Sequence, residues 1–213
     1  AQAVDEIPVV GDIARVLTVR SFTEEQPGST VNVEQPMVAD DTQFAADVNE
    51  QINKIVDQYI EEANQRIAEY REAFLATGGT EEEFEQKNIQ VDVDYEILSE
   101  TEDRVSFVLR AAESDISAGK EIVYYNLDLA TGQVLTLEDV LGEDWVNICN
   151  SSIQEQMAAN TDVSYFSEDQ GGFTTVDENT SFYLDEDGSV VVVFPKYSIA
   201  PGAYGEQTFR IDA

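Results

Sequence analysis

The chain has 213 residues, of which 44 are Asp or Glu and 11 are Lys or Arg, giving a formal net charge of −33. Such a field excludes nucleic acid and anionic lipid as partners, because phosphate binding needs clustered cations, and it attracts basic proteins and divalent cations instead. A hydrophobic fraction of 42%, with 10 Phe and 9 Tyr, marks a folded chain large enough for one sizeable domain or two small ones.

Residues 1–10 read as a lead-in. IARVLTVRSF (13–22) is rich in β-branched residues and predicts a first strand. EEQPGSTVNVEQP (24–36) reads as turn, punctuated by Pro27 and Gly28. Over 42–77 the residues Phe44, Val48, Ile52, Ile55, Val56, Tyr59, Ala63, Ile67, Tyr70 and Phe74 form one apolar stripe. They predict a helix capped by Asp41 or Thr42 and stopped at Gly78 and Gly79. At about 1.5 Å per residue it exceeds roughly 50 Å, long enough to invite a bend.

The period then changes to two. Val91, Val93, Tyr95 and Ile97 share one face of VDVDYEI, and Val105, Phe107 and Leu109 repeat the pattern in RVSFVLRA. EIVYYNLDLATGQVLTL gives a third strand, a turn at Thr131–Gly132 and a short strand, all half-buried and antiparallel by their alternation. Thr136 caps a short helix LEDVL. In DWVNICNSSIQEQMA the residues Trp145, Ile148, Cys149, Ser152, Ile153, Gln156 and Met157 recur at helical spacing, which predicts a buried Trp145. A polar loop follows over 160–180, then a hairpin SFYLDEDGSVVVVF turning at Asp187–Gly188, and TFRID closes the chain as a strand. Helices and strands in blocks predict an α+β fold, an antiparallel sheet packed against one long helix and a second shorter one.

With no histidine and one cysteine, Ser–His and Cys–His nucleophilic catalysis, His-based zinc sites and thiolate clusters are excluded. Cys149 has no disulfide partner and reads as a buried structural thiol. No phosphate loop of Walker or GxGxxG type is present. YLDEDGSV places Tyr183 where a calcium loop needs an oxygen ligand, so Asp185, Glu186 and Asp187 read as a solvated hairpin tip. No catalytic residue, metal or cofactor is assigned. The sequons at Asn150 and Asn179 matter only in a glycosylating host. No run approaches the roughly 18 apolar residues of a membrane span. With no initiating Met and no signal-peptide core, the chain reads as a mature or trimmed soluble portion whose membrane link is an anchor outside it.

FPKYSIAPGAYG (194–205), after the apolar run SVVVV, holds two prolines, two tyrosines and two glycines. Pro195 ends strand pairing for want of an amide, Pro201 fixes a second bend, and Gly202 and Gly205 admit backbone angles closed to other residues. The stretch serves as a crossover between the last two strands. Its aromatic side chains also suit a rigid binding edge formed by Pro195, Tyr197, Ile199, Pro201 and Tyr204, with the acidic field steering a basic partner and the tyrosines anchoring it.

Two stretches carry a resemblance. NLDLATGQVLTLEDVL (126–141) and FPKYSIAPGAYGEQTFRI (194–211) resemble the two hallmark motifs of an extracytoplasmic domain family found in lysozyme-sensing anti-sigma factors of Gram-positive bacteria. The same family is an accessory domain of some peptidoglycan deacetylases. QINKIV (51–56), after Pro36-Met37-Val38, resembles the companion domain that precedes it. The resemblance spans residues 36–211. It implies a companion-type region over 1–112, a C-terminal domain over 113–213, and the two packed as one unit. Many members carry a Gly-Gly-Ala-His loop where this chain reads SDISAGKEIVYY, with Gly119 and no His. The sigma-binding segment and membrane helix of the anti-sigma members, and the Asp- and His-rich motifs of the deacetylases, do not occur in these 213 residues.

The resulting expectation is a non-enzymatic sensing or binding domain, extracellular or anchored at a bacterial cell surface, whose partner is lysozyme or another basic wall-associated protein. The alternative is a module that binds peptidoglycan or another wall polysaccharide through exposed tyrosines and Trp145. A carboxylate-only glycoside hydrolase stands third and needs two convergent acids about 5–10 Å apart in a cleft.

Overall fold

The computed structural model describes residues 15–114 and 120–211. The expected lead-in at 1–10 and the Gly119 position lie outside the described residues. Strand β1 (Val16–Gln26) turns through Pro27 and Gly28 into β2 (Ser29–Val38), with Gly28 at φ +85°. The stretch 24–36 is therefore mostly strand. Pro27-Gly28 is a two-residue hairpin loop, and the alternation of Val31 and Val33, both 1% exposed, is the strand signal that the turn residues masked.

Helix α1 (Gln43–Ala76) is 34 residues of unbroken helix, with no interruption at the length that invited one. Thr42 is its cap, its side chain accepting from Ala45 N at 3.2 Å. The inward stripe buries Ala45, Val48, Ile52, Val56, Tyr59, Ala63 and Ile67. Beside it Asn49 accepts from Val38 N at 2.7 Å and donates to Val38 O at 3.0 Å, fixing the helix to the end of β2. A short helix α2 (Glu81–Glu85), closed by a Thr80–Glu83 capping box, inserts Phe84 into the same core.

Strands β3 (Ile89–Glu100), β4 (Arg104–Glu113), β5 (Lys120–Asp128) and β6 (Gln133–Val134) complete a six-stranded sheet of order β1-β2-β3-β4-β5-β6. Its pairs are antiparallel except β2 with β3, which run parallel over Ser29–Val33 and Ile89–Val93. The α+β class holds, with that one parallel pair and a second sheet added. Helices α3 (Leu137–Leu141) and α4 (Trp145–Ala159) then lead to β7 (Ser181–Leu184), β8 (Val190–Phe194) and β9 (Gln207–Ile211), a three-stranded antiparallel sheet.

The described residues form two cores. The first joins α1 and α2 to the inner face of the large sheet and runs from Val16 to Leu127; the second runs from Leu137 to Ile211 and gathers α3, α4 and the small sheet. The large sheet continues through Val134, across the 112/113 division expected from the motifs, and the cores change over between Leu129 and Leu135.

Polar side chains join the halves. Asn126 Nδ2 donates to Phe182 O at 2.8 Å, and Leu184 N lies 3.2 Å from Asn126 Oδ1 and 3.3 Å from Ser106 Oγ. Ser99 Oγ donates to Leu184 O. Three side chains of the large sheet thereby satisfy the backbone of β7 where no strand pairs with it, which is what a buried strand edge demands. This contact also explains why β4 is buried continuously from Val105 to Leu109, with α1 on one face and β7 on the other.

Candidate functional site

The site is built on the end of β8. Val190–Val193 are all buried, so the strand arrives rigidly covered on both faces. Pro195 opens a turn closed by Ser198 N donating to Pro195 O at 2.9 Å. Within that turn Tyr197 takes φ +72°, the left-handed region where glycine normally serves. For a residue with a Cβ this costs about 1–2 kcal/mol, so the surroundings must hold it there.

Two contacts on the ring do so. A Cβ added at Gly202 would fall far inside contact distance of Cε1 and Cζ of Tyr197, so the ring lies directly on the glycine backbone. Lys196 Nζ stands 5.2 Å from the ring centroid, within cation–π range. Tyr197 is nonetheless 68% exposed, the most exposed of the large hydrophobic side chains among the described residues. A strained, outward aromatic supported by a glycine shelf is a feature the core does not need.

The rest of the loop is anchored. Ile199 is 3% exposed and packs in the second core, and its carbonyl accepts from Phe166 N at 2.9 Å. Of the five expected contact residues, Ile199 therefore lies beneath the surface as the loop's root. Pro195 is exposed, Pro201 is half-buried, and Tyr204 is 40% exposed. Pro201 starts a 3₁₀ turn over Gly202–Tyr204, in which Tyr204 N donates to Pro201 O at 3.0 Å. Gln207 Nε2 holds Tyr204 O at 2.9 Å. Gly205 takes φ +72° as expected, whereas Gly202 is required for the space its missing side chain leaves under Tyr197.

Sequence reasoning named the tyrosines and missed the means of holding them: Lys196, the left-handed Tyr197, and the clamp from Phe166. The last lies in the 160–180 stretch. Although polar in composition, that loop buries Phe173 and Val176 in the second core. Asn150 fastens it, donating to Thr175 Oγ1 and accepting from Val176 N, both at 2.9 Å. Both ends of this sequon side chain are thus used internally.

The flanking chemistry is acidic and aromatic. Tyr124 stacks on Tyr183 with centroids 6.3 Å apart, and its hydroxyl is 3.4 Å from Glu206 just beyond the loop. Burial, helped by Glu206, pushes the Tyr124 phenol up to about 12. The hairpin tip is solvent-exposed at Glu186 and Asp187, as expected, and is also clamped, because Arg210 pairs with both Asp185 and Asp187. Hydrogen bonds from Ser189, backbone first, hold the Asp187 carboxyl below its ordinary value. Cys149 is fully buried, and burial pushes its thiol up to about 11, far from a nucleophile's range. Trp145 is half-buried against the second core. Among the described residues no helix is long and apolar enough to cross a membrane.

The chain is 26% identical to the anti-sigma-V factor RsiV of Bacillus subtilis (strain 168), over 99% of this chain and 72% of that protein. A solved DUF3298-family structure from Bacteroides fragilis NCTC 9343 superposes with a TM-score of 0.62 at 17% identity, covering 92% of this chain and 89% of that one. A second, from Pseudomonas aeruginosa PAO1, gives 0.55 at 16% identity over 94% and 91%; both share the fold. Residues 138–213, which hold α4, the small sheet and the Tyr197 loop, match the family model described as a protein of unknown function, DUF3298.

Proposed function

We propose that this chain is a non-enzymatic, extracytoplasmic sensing domain that binds a basic protein such as lysozyme through the exposed side of its 195–205 loop. The observation that carries this reading is Tyr197, held at positive φ on Gly202 while 68% exposed. An aromatic already fixed in place loses little entropy on binding, which is how interface hot spots are built. Pro195 and Tyr204 extend the same surface, and Ile199 roots it in the core. The net charge of −33 supplies long-range attraction for a cationic partner. Similarity to an anti-sigma factor supports a regulatory, non-catalytic role. The half-buried Trp145 argues against a wall-polysaccharide groove built on that residue.

Calorimetric titration with a basic lysozyme, at low and at physiological salt, tests this. The expected result is saturable binding near 1:1 that survives physiological salt and weakens at least about tenfold in Tyr197→Ala. Gly202→Ala, which displaces the ring without removing it, has the same effect. Wild-type affinity in a folded Tyr197→Ala chain would sink the site. Heat that vanishes with added salt would reduce the interaction to the attraction of opposite charges.

A further inference from the structure

The edge of a β-sheet is a row of unpaired N–H and C=O groups, and proteins guard such rows because another strand can add to them. Three of the edges here are guarded. Strand β1 carries a bulge between Thr18 and Arg20, with Arg20, Glu24 and Glu25 along its length. The edge of β7 is taken by Ser99, Ser106 and Asn126. The edge of β9 runs beside α4, whose Gln156 donates to Arg210 O at 2.7 Å.

Strand β5 differs. Only Leu127 and Asp128 pair with β6, after which Leu135 N donates to Asn126 O at 2.8 Å. That bond fixes the parity of the strand: the backbone of Asn126 faces away from β4. The β4–β5 register is unbroken from Lys120 to Asp128, so Ile122 and Tyr124 also point their N–H and C=O groups outward. Among the described residues nothing pairs with them. No bulge, proline or inward charge protects this stretch; Lys120 and Glu121 guard only its start. Beside it lies a groove of about 260 Å³ lined by Ile122, Tyr124, Asn126, Val134, Glu178 and Phe182, among others. Ile122 is 38% and Val134 54% exposed, a pair of apolar contacts at the groove's rim.

We infer that the β5 edge is a strand-addition site that takes an extended, basic peptide segment of a partner protein. Main-chain bonds to Ile122 and Tyr124 supply the affinity, and side chains on the two faces of the added strand meet Ile122 on one side and Val134 on the other. Charge selects the occupant. Glu178 lines the groove on a chain of net charge −33, so a second copy of this chain, equally acidic, is repelled while a lysine-bearing strand is attracted. This surface adjoins the acidic flank of the Tyr197 loop through Tyr124, whose hydroxyl lies 3.4 Å from Glu206, but it binds through the backbone of β5, and its test does not use lysozyme.

The probe is a fluorescein-labelled heptapeptide of alternating Lys and Val, with a Glu/Val heptapeptide as counterpart, added to the full chain at physiological salt. The expected result is saturable anisotropy for the Lys/Val peptide alone, with at least about tenfold slower hydrogen exchange at the Ile122 and Tyr124 amides. Ile122→Pro removes only an outward-facing N–H, a change edge strands tolerate, and weakens binding at least tenfold. Glu178→Lys, away from the backbone bonds, weakens it several-fold and serves if the proline variant does not fold. Equal binding of the Glu/Val peptide, exchange protection elsewhere than at the β5 edge, or undiminished binding by either variant overturns the proposal. So does self-association of the peptide-free chain through this edge in analytical ultracentrifugation.

Discussion

In the first core a 34-residue helix lays seven buried side chains along a six-stranded sheet. The second core rests on the 15-residue α4, whose buried residues are Cys149 and Ile153, and on three short strands, the last two joined by the 195–206 loop. Polar burial follows the same contrast. In the first core Glu113, with a fully buried side chain, is paired to Arg66 across α1 and β4, whereas in the second half buried backbone is satisfied by neutral side chains, Asn150 of α4 and Ser99 reaching over from β3. Regular elements make the first half a scaffold. The irregular second half carries the exposed, pre-ordered loop, the usual division between scaffold and recognition surface.

The largest expected effect tests whether the two halves are one cooperative unit. Phe107 is fully buried and stacks on Tyr125 at 4.8 Å in the first core; Phe107→Ala should cost about 3–5 kcal/mol. Helical circular dichroism, dominated by α1, and the fluorescence of Trp145, which packs on the second core, should shift together in urea. A fluorescence transition left at its wild-type midpoint would show two independently unfolding halves. Asn126→Ala addresses the same coupling at its contact. It removes the partner of Phe182 O and Leu184 N, should cost about 2–3 kcal/mol for the buried groups left unpaired, and should pull the two transitions apart.

The contrast between the halves also governs how much could be read beforehand. Stripes and alternation made α1, β3, β4 and β8 legible, because burial on one face or two imposes a period on the sequence. The turn dipeptide Pro27-Gly28 concealed β2, whose parallel pairing with β3 across α1 is a non-local fact that no local pattern encodes. Thr80 and Glu83 did carry a capping box for α2, a signal present and unread. At the site, the aromatic and proline content of 194–205 singled out the loop. Its geometry depends on a ring meeting a glycine five residues on and on Phe166 reaching Ile199 from a different loop, contacts that composition does not specify.

A smaller effect separates the halves by pH. Because burial raises the Cys149 thiol to about 11 from its ordinary value of 9.0, the folded state disfavours the thiolate. Its contribution to stability is complete below about pH 9 and is lost as pH rises toward 11. Cys149→Ala should flatten the fall of stability over that range, followed by Trp145 fluorescence in urea. The native thiol should react with a disulfide reagent only as the second core opens. Labelling that is fast in the folded chain would mean α4 is not closed over Cys149.

The smallest effect bears on the loop itself. Tyr197 at φ +72° stores strain that only glycine avoids. Tyr197→Ala and Tyr197→Gly lose the same ring from Gly202 and Lys196, but alanine keeps a Cβ in the left-handed region. The glycine variant, despite its looser unfolded chain, should therefore be more stable than the alanine variant by about 1 kcal/mol, a difference of a few degrees in Tm. Both should lose binding of the basic partner. Equal stability of the two variants would mean that the turn relaxes once the ring is gone, so that the ring imposes the backbone conformation. A more stable glycine variant would place the constraint in the anchors on either side, Val193 and Ile199, and identify Tyr197 as a side chain held at a stability cost for the surface it presents.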